Sequence, residues 1–117
     1  MADPEHIYKV ASRSLVTAAE ASGQFTGAPV DLKDGFIHFS TAAQLADTLR
    51  LHFAGEGDLV LLAVRVAALS QSLTWEPSRG GQLFPHLYAP LPMSAVTARA
   101  TLAVAPDGSA ALPEWVR

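Results

Sequence analysis

The run Leu59-Val60-Leu61-Leu62-Ala63-Val64-Arg65-Val66 is apolar except at Arg65. A strand with no polar face has nothing to turn toward water, so this run predicts a central strand covered on both sides. Other strands follow by pattern. Val96, Ala98, Ala100, Leu102 and Val104 alternate with Thr97, Arg99, Thr101 and Ala103, the two-residue period of a half-buried strand. Ile7-Tyr8-Lys9-Val10, Phe36-Ile37-His38-Phe39-Ser40 and Leu73-Thr74-Trp75-Glu76 read as three shorter ones.

Two helices fit between them. Ser12 offers a cap for a helix over Arg13 to Ser22, with Gly23 as its stop. Thr41 followed by Gln44 matches a capping box, and Leu45, Leu49 and Phe53 recur every four residues in a helix that should end at Gly55. Phe25 to Gly35 holds Gly27, Pro29 and Asp34-Gly35 and reads as a loop, with Asp31 and Asp34 as turn formers. A helical turn is expected near Ala67 to Ser70 and a rigid passage at Pro90-Leu91-Pro92. There is no internal repeat or linker. The reading is one α+β domain over residues 1–117, with about five short strands in a split or strongly twisted mixed sheet and two principal helices.

Composition narrows the function classes. Half of the 117 residues are hydrophobic and 16% are charged, which favours a packed globule over disorder. Eight basic against eleven acidic residues give a net charge of −3, with no basic run, which argues against nucleic acid as a partner. The absence of cysteine excludes disulfides, thiolate catalysis and cysteine-ligated zinc. The opening Met1-Ala2-Asp3-Pro4-Glu5 lacks a secretion signal, and Leu59 to Val64 is too short to span a membrane, so a soluble cytoplasmic protein is expected.

Chemistry concentrates in Arg79-Gly80-Gly81-Gln82-Leu83-Phe84-Pro85-His86-Leu87-Tyr88, after Trp75-Glu76-Pro77. Gly80 and Gly81 permit positive backbone angles and close approach by another group. Pro85 lacks a backbone donor, which argues against an ordinary central strand. Extended backbone would put Phe84, His86 and Tyr88 on one face. A loop packed onto the core could use the same residues, so the second histidine stretch carries the argument. There Phe36, His38 and Ser40 share a face, while Ile37 and Phe39 anchor the other. His38 also precedes a helix start, where free N–H groups and the positive dipole end attract anions.

The remaining candidates are graded by chemistry. His6, His38, His52 and His86 show no metal-ligand spacing, and no metal site is expected. No Gly-x-Ser-x-Gly elbow, phosphate loop or dinucleotide fingerprint is present. Glu76 is the best-placed carboxylate, at a strand end and opposite Leu73 and Trp75. Tyr8 and Lys9 are the polar groups of the first strand that could face a cleft, although a lysine is ordinarily placed at the surface. The candidate catalytic residues are therefore His38, Glu76 and His86. The candidate ligand contacts are Tyr8, Lys9, Ser40, Thr41, Arg79, Gly80, Gly81, Phe84 and Tyr88.

Several of these residues recur together. Ile7-Tyr8-Lys9, Val30 to Thr41, Trp75 to Gly81 and Phe84-Pro85-His86-Leu87-Tyr88 resemble the bacterial domain-of-unknown-function 952 family, over nearly everything up to about Val96. More distantly, Ile37-His38-Phe39-Ser40, the following helix and Leu59 to Val66 resemble the ADP-ribosyltransferase superfamily, especially its RNA 2′-phosphotransferases. That second resemblance implies a split β-sheet gripping a nicotinamide dinucleotide, with NAD as a substrate. It implies that His38 holds a ribose or phosphate and that Tyr8, Phe84 or Tyr88 stacks on a ring. Glu76 would stabilise the positive charge that develops as nicotinamide leaves.

Three readings remain open: an enzyme acting on a nucleotide or phosphorylated metabolite, a non-catalytic binder of a nucleotide or small anion, and a protein-interaction domain. All three use the same residues. The first two require His38 and His86 to converge on one hollow, whereas an exposed aromatic patch around Phe84 and Tyr88 would favour the third.

Overall fold

The run that opened the sequence reading becomes β4, Leu59–Arg65, and every residue in it but Arg65 is buried. A computed structural model describes residues 4–69 and 72–117, with Arg79 described by its backbone alone. β4 lies between β1, His6–Ser12, and β8, Val96–Leu102, and both pairings are antiparallel. The pleat divides its side chains. Val60, Leu62 and Val64 enter one core cluster, and Leu59, Leu61 and Ala63 enter another. A strand apolar on both faces often marks a parallel sheet. Here the second cluster draws on helix α3, Ala42–His52, and on Leu112, Trp115 and Val116 of the tail, so strand direction is left free.

The first helix follows the sequence reading closely. α1 spans Arg13–Ser22, and the Ser12 hydroxyl accepts the Leu15 N–H at its start. It stops at Gly23, whose φ of 89° a residue with a Cβ rarely adopts. α3 begins at the expected capping box: Gln44 N–H donates to the Thr41 hydroxyl and Thr41 N–H to the Gln44 side chain. It ends at His52, with Phe53 as its cap, before Gly55.

Several expectations need correction. Phe25 to Gly35 is not simply a loop: β2, Gln24–Phe25, is followed by α2, Pro29–Asp34. Pro29 pre-sets the first helical residue and the Asp31 carboxylate accepts the Ala28 N–H, a start signal that the turn residues masked. Pro90-Leu91-Pro92 contains β7, Leu91–Pro92, which pairs with β2. The expected turn near Ala67 is a 3-10 turn over Val66–Ala68, and Ser70 lies outside the described residues.

The largest correction concerns Pro85. It sits in β6, Leu83–Leu87, which is the central strand between β3, Ile37–His38, and β5, Leu73–Pro77. Its carbonyl accepts the Phe39 N–H at 3.0 Å, so its missing donor points toward β3's side, just where β3 has ended. Toward β5, Pro85 faces Trp75 as a pair that needs no N–H. The described residues thus form eight strands and three α-helices in one α+β domain. Among the described residues every strand pairing is antiparallel rather than mixed, and the strands fall into three separate sheets. The β1-β4-β8 and β3-β6-β5 sheets are joined where Tyr8 and Ser40 exchange backbone hydrogen bonds of 2.8 and 2.9 Å. Among the described residues no helix is long and apolar enough to cross a membrane.

Candidate functional site

Register brings the two histidines together. β3 and β6 pair so that His38 faces His86 directly, and the ring centroids lie 5.5 Å apart in an edge-on arrangement. The strand period then does the sorting. Ile37 and Phe39 go into the core, whereas Phe36 and His38 stay half-buried on the opposite face. Phe36 stacks on His86 at 4.1 Å and also touches His38 at 4.6 Å and Tyr88 at 5.2 Å.

Each imidazole is held by a carboxylate. His38 Nδ1 lies 2.6 Å from Asp31 Oδ1, which also accepts the His38 main-chain N–H at 3.1 Å. His38 Nε2 lies 2.9 Å from Asp34 Oδ2. His86 Nδ1 lies 2.8 Å from Glu76 Oε1, an oxygen that also accepts the Tyr88 hydroxyl at 2.7 Å. These two donors, Tyr88 first and then His86, hold the Glu76 carboxyl below its ordinary value. Conversely, the Glu76 carboxylate raises the Tyr88 hydroxyl above its own.

Asp31 is the residue that sequence reasoning misplaced. Helix α2 carries it into the interior, where Lys9 Nζ reaches Oδ1 at 3.0 Å and Oδ2 at 2.8 Å. Lys9 is buried rather than at the surface, because it stands between Ile7 and Ala11 on the inward face of β1. Its ammonium also lies 5.9 Å from the Phe25 ring centroid. Burial pushes Lys9 below its ordinary value, and Asp31 opposes that shift. Burial alone would raise Asp31, but the His38 hydrogen bond and then the Lys9 charge outweigh it and hold the carboxyl at about 2. Pro29 followed two residues later by an acid was the available signal, since a carboxylate there answers free N–H groups at a helix start.

A cleft of about 860 Å³ is lined by β1 residues and by both His38 and His86. Tyr8, Lys9, Ser40 and Phe84 line it too. Their side chains are largely engaged: the Tyr8 hydroxyl meets the main chain of Trp115 and Arg117, and Ser40 Oγ lies 2.8 Å from Thr48 Oγ1. Glu76 adjoins the cleft through His86. Thr41 caps α3, and Tyr88 is exposed beside Phe36 and Glu76. Gly80 and Gly81 adopt φ of 64° and 80° in an exposed turn, and a Cβ at either would meet open space, so turn geometry accounts for them rather than close approach. The Arg79 side chain lies outside what is described. His6 and His52 stand on other elements, and among the described residues no group of three or more His, Asp or Glu side chains could hold a metal ion.

Over 91% of this chain and 93% of its own, the crystal structure of protein CC0527 from Caulobacter crescentus is 49% identical, with a TM-score of 0.86. The solution NMR structure of CC0527 is 50% identical over 90% of each chain, with a TM-score of 0.78. No curated protein matches. A family model described as "Protein of unknown function (DUF952)" matches residues 10–99, and by that extent the chain belongs to the DUF952 family.

Proposed function

We propose that the protein is a transferase acting on NAD or a related phosphorylated nucleotide, bound in the cleft that His38 and His86 line. One observation carries the reading: residues far apart in sequence are register partners, each with a carboxylate on Nδ1, on one wall of the same hollow. Oriented imidazoles suit binding of ribose hydroxyls and phosphate oxygens, and they suit proton transfer. The pair of joined three-stranded sheets supports the distant likeness to ADP-ribosyltransferases, which implies a split sheet around a dinucleotide.

In this reading the bond between nicotinamide and its ribose breaks, nicotinamide leaves with the electron pair, and an acceptor nucleophile bonds to the sugar carbon. Glu76, which adjoins the cleft through His86, supplies negative charge as the sugar becomes cationic. His38 holds a ribose or phosphate oxygen, Lys9 adds positive charge behind it, and Phe84 or Tyr88 lies against a ring. Incubation with NAD should release nicotinamide, and the double substitution His38→Ala with His86→Ala should abolish release while the protein still melts cooperatively. The absence of both turnover and binding at millimolar NAD would refute it.

A second reading is favoured by the engagement of Glu76 with both Tyr88 and His86: the cleft binds a nucleotide or small anion without catalysis. Saturable thermal stabilisation by NAD without nicotinamide release would select it.

A further inference from the structure

We infer that Asp31 is the positioning residue for His38, and that Lys9 acts through Asp31. This rests on His38 being a ligand-contacting residue of the cleft. An ionised carboxylate only accepts hydrogen bonds, so every polar atom facing Asp31 must donate. The His38 ring nitrogen next to it, Nδ1 at 2.6 Å, therefore carries a proton. When the ring holds a single proton, Asp31 keeps it there and Nε2 is an acceptor, from which the Asp34 carboxylate turns aside to admit a ligand's donor. When the ring holds two, Nε2 also donates to Asp34, 2.9 Å away and partly exposed, and an incoming anion can take that place.

The two oxygens of Asp31 divide the work. Oδ2 accepts the Ala28 N–H at 2.8 Å and so secures the start of α2, a purely structural task. Oδ1 accepts both the main-chain N–H and the ring of His38, a two-point clamp that fixes ring rotation as well as proton position. Lys9 bridges both oxygens and keeps the buried carboxyl ionised. A protonated Asp31 could instead donate to Nδ1, which would move the ring proton to Nε2. Lys9 thus sets the tautomer of a histidine with which it shares no hydrogen bond.

Long-range proton–nitrogen correlation spectra of the 15N-labelled protein read the tautomer of the singly protonated ring directly. The native chain should show His38 protonated at Nδ1. In Asp31→Ala no acceptor faces Nδ1 while Asp34 still accepts from Nε2, so the His38 proton should shift to Nε2. Lys9→Met should shift it part of the way. His86 is the internal control and should keep its own pattern in both variants. A native spectrum with the His38 proton on Nε2 overturns the inference, even if no variant folds. So does an unchanged His38 in folded Asp31→Ala, or a change in both histidines together. No nucleotide is present in these samples, so the outcome is separate from whether NAD binds.

Discussion

The two carboxylate–histidine pairs have their histidines on neighbouring strands, β3 and β6, and their burial inverted. At the first, the acid is inside: the Asp31 side chain is 0% exposed and that of His38 31%. At the second, the imidazole is inside: His86 is 8% exposed and Glu76 34%. A buried carboxylate loses its water and must find replacements, so Asp31 has Lys9, Ala28 and His38 around it. Glu76 keeps solvent, and two donors, His86 and Tyr88, suffice. The same residue types therefore do different work. The Asp31 pair is tied into the core through Lys9, whereas the Glu76 pair is tied to the surface through Tyr88.

The comparison breaks most readily at the buried end. Asp31→Ala leaves Lys9 buried without its counterion and should cost about 3–5 kcal/mol in chemical denaturation. A loss comparable to that of an ordinary surface substitution would contradict the burial argument. At the rim, Glu76→Gln should leave the melting transition where it is while slowing nicotinamide release by about 10²–10³-fold, the scale of one lost transition-state electrostatic contact. If stability fell and rate did not, the two roles would be reversed.

Acid titration separates the pairs further. The folded-state value of Asp31, about 2, lies below its ordinary 3.8, so ionisation favours the fold above 3.8 and that contribution disappears as pH falls through about 2. The expected loss is on the order of 2 kcal/mol and should vanish in Asp31→Asn. The smallest expected effect is at Tyr88. Tyr88→Phe removes the leading donor to Glu76, so the Glu76 carboxyl should titrate at higher pH, readable by carbon NMR, with the His38 pair untouched.

Legibility in the sequence followed how local each signal was. α1 and α3 were readable because Ser12, Gly23 and the Thr41–Gln44 box act within a few residues. β4 was readable because burial on both faces leaves an unbroken apolar run. α2 was missed because six residues between two glycines look like turn chemistry, although Pro29 and Asp31 mark its start. Pro85 misled because a proline excludes a hydrogen bond on one side of a strand, and that side happens to lie where β3 stops. For the site, His38, His86 and Glu76 stood out by residue type alone, while Asp31 looked like a turn residue and Lys9 like a surface one.

By itself the chain determined that α1 and α3 curl and that β4 and β8 extend, since caps and periodicity are written in neighbouring residues. Only the folded packing set the register of β3 on β6, and with it the pairing of His38 with His86, because that alignment depends on sheets closing over a shared core. The fate of Asp31 was settled the same way. A carboxylate becomes a buried anchor only when a lysine from a distant strand is turned inward to meet it.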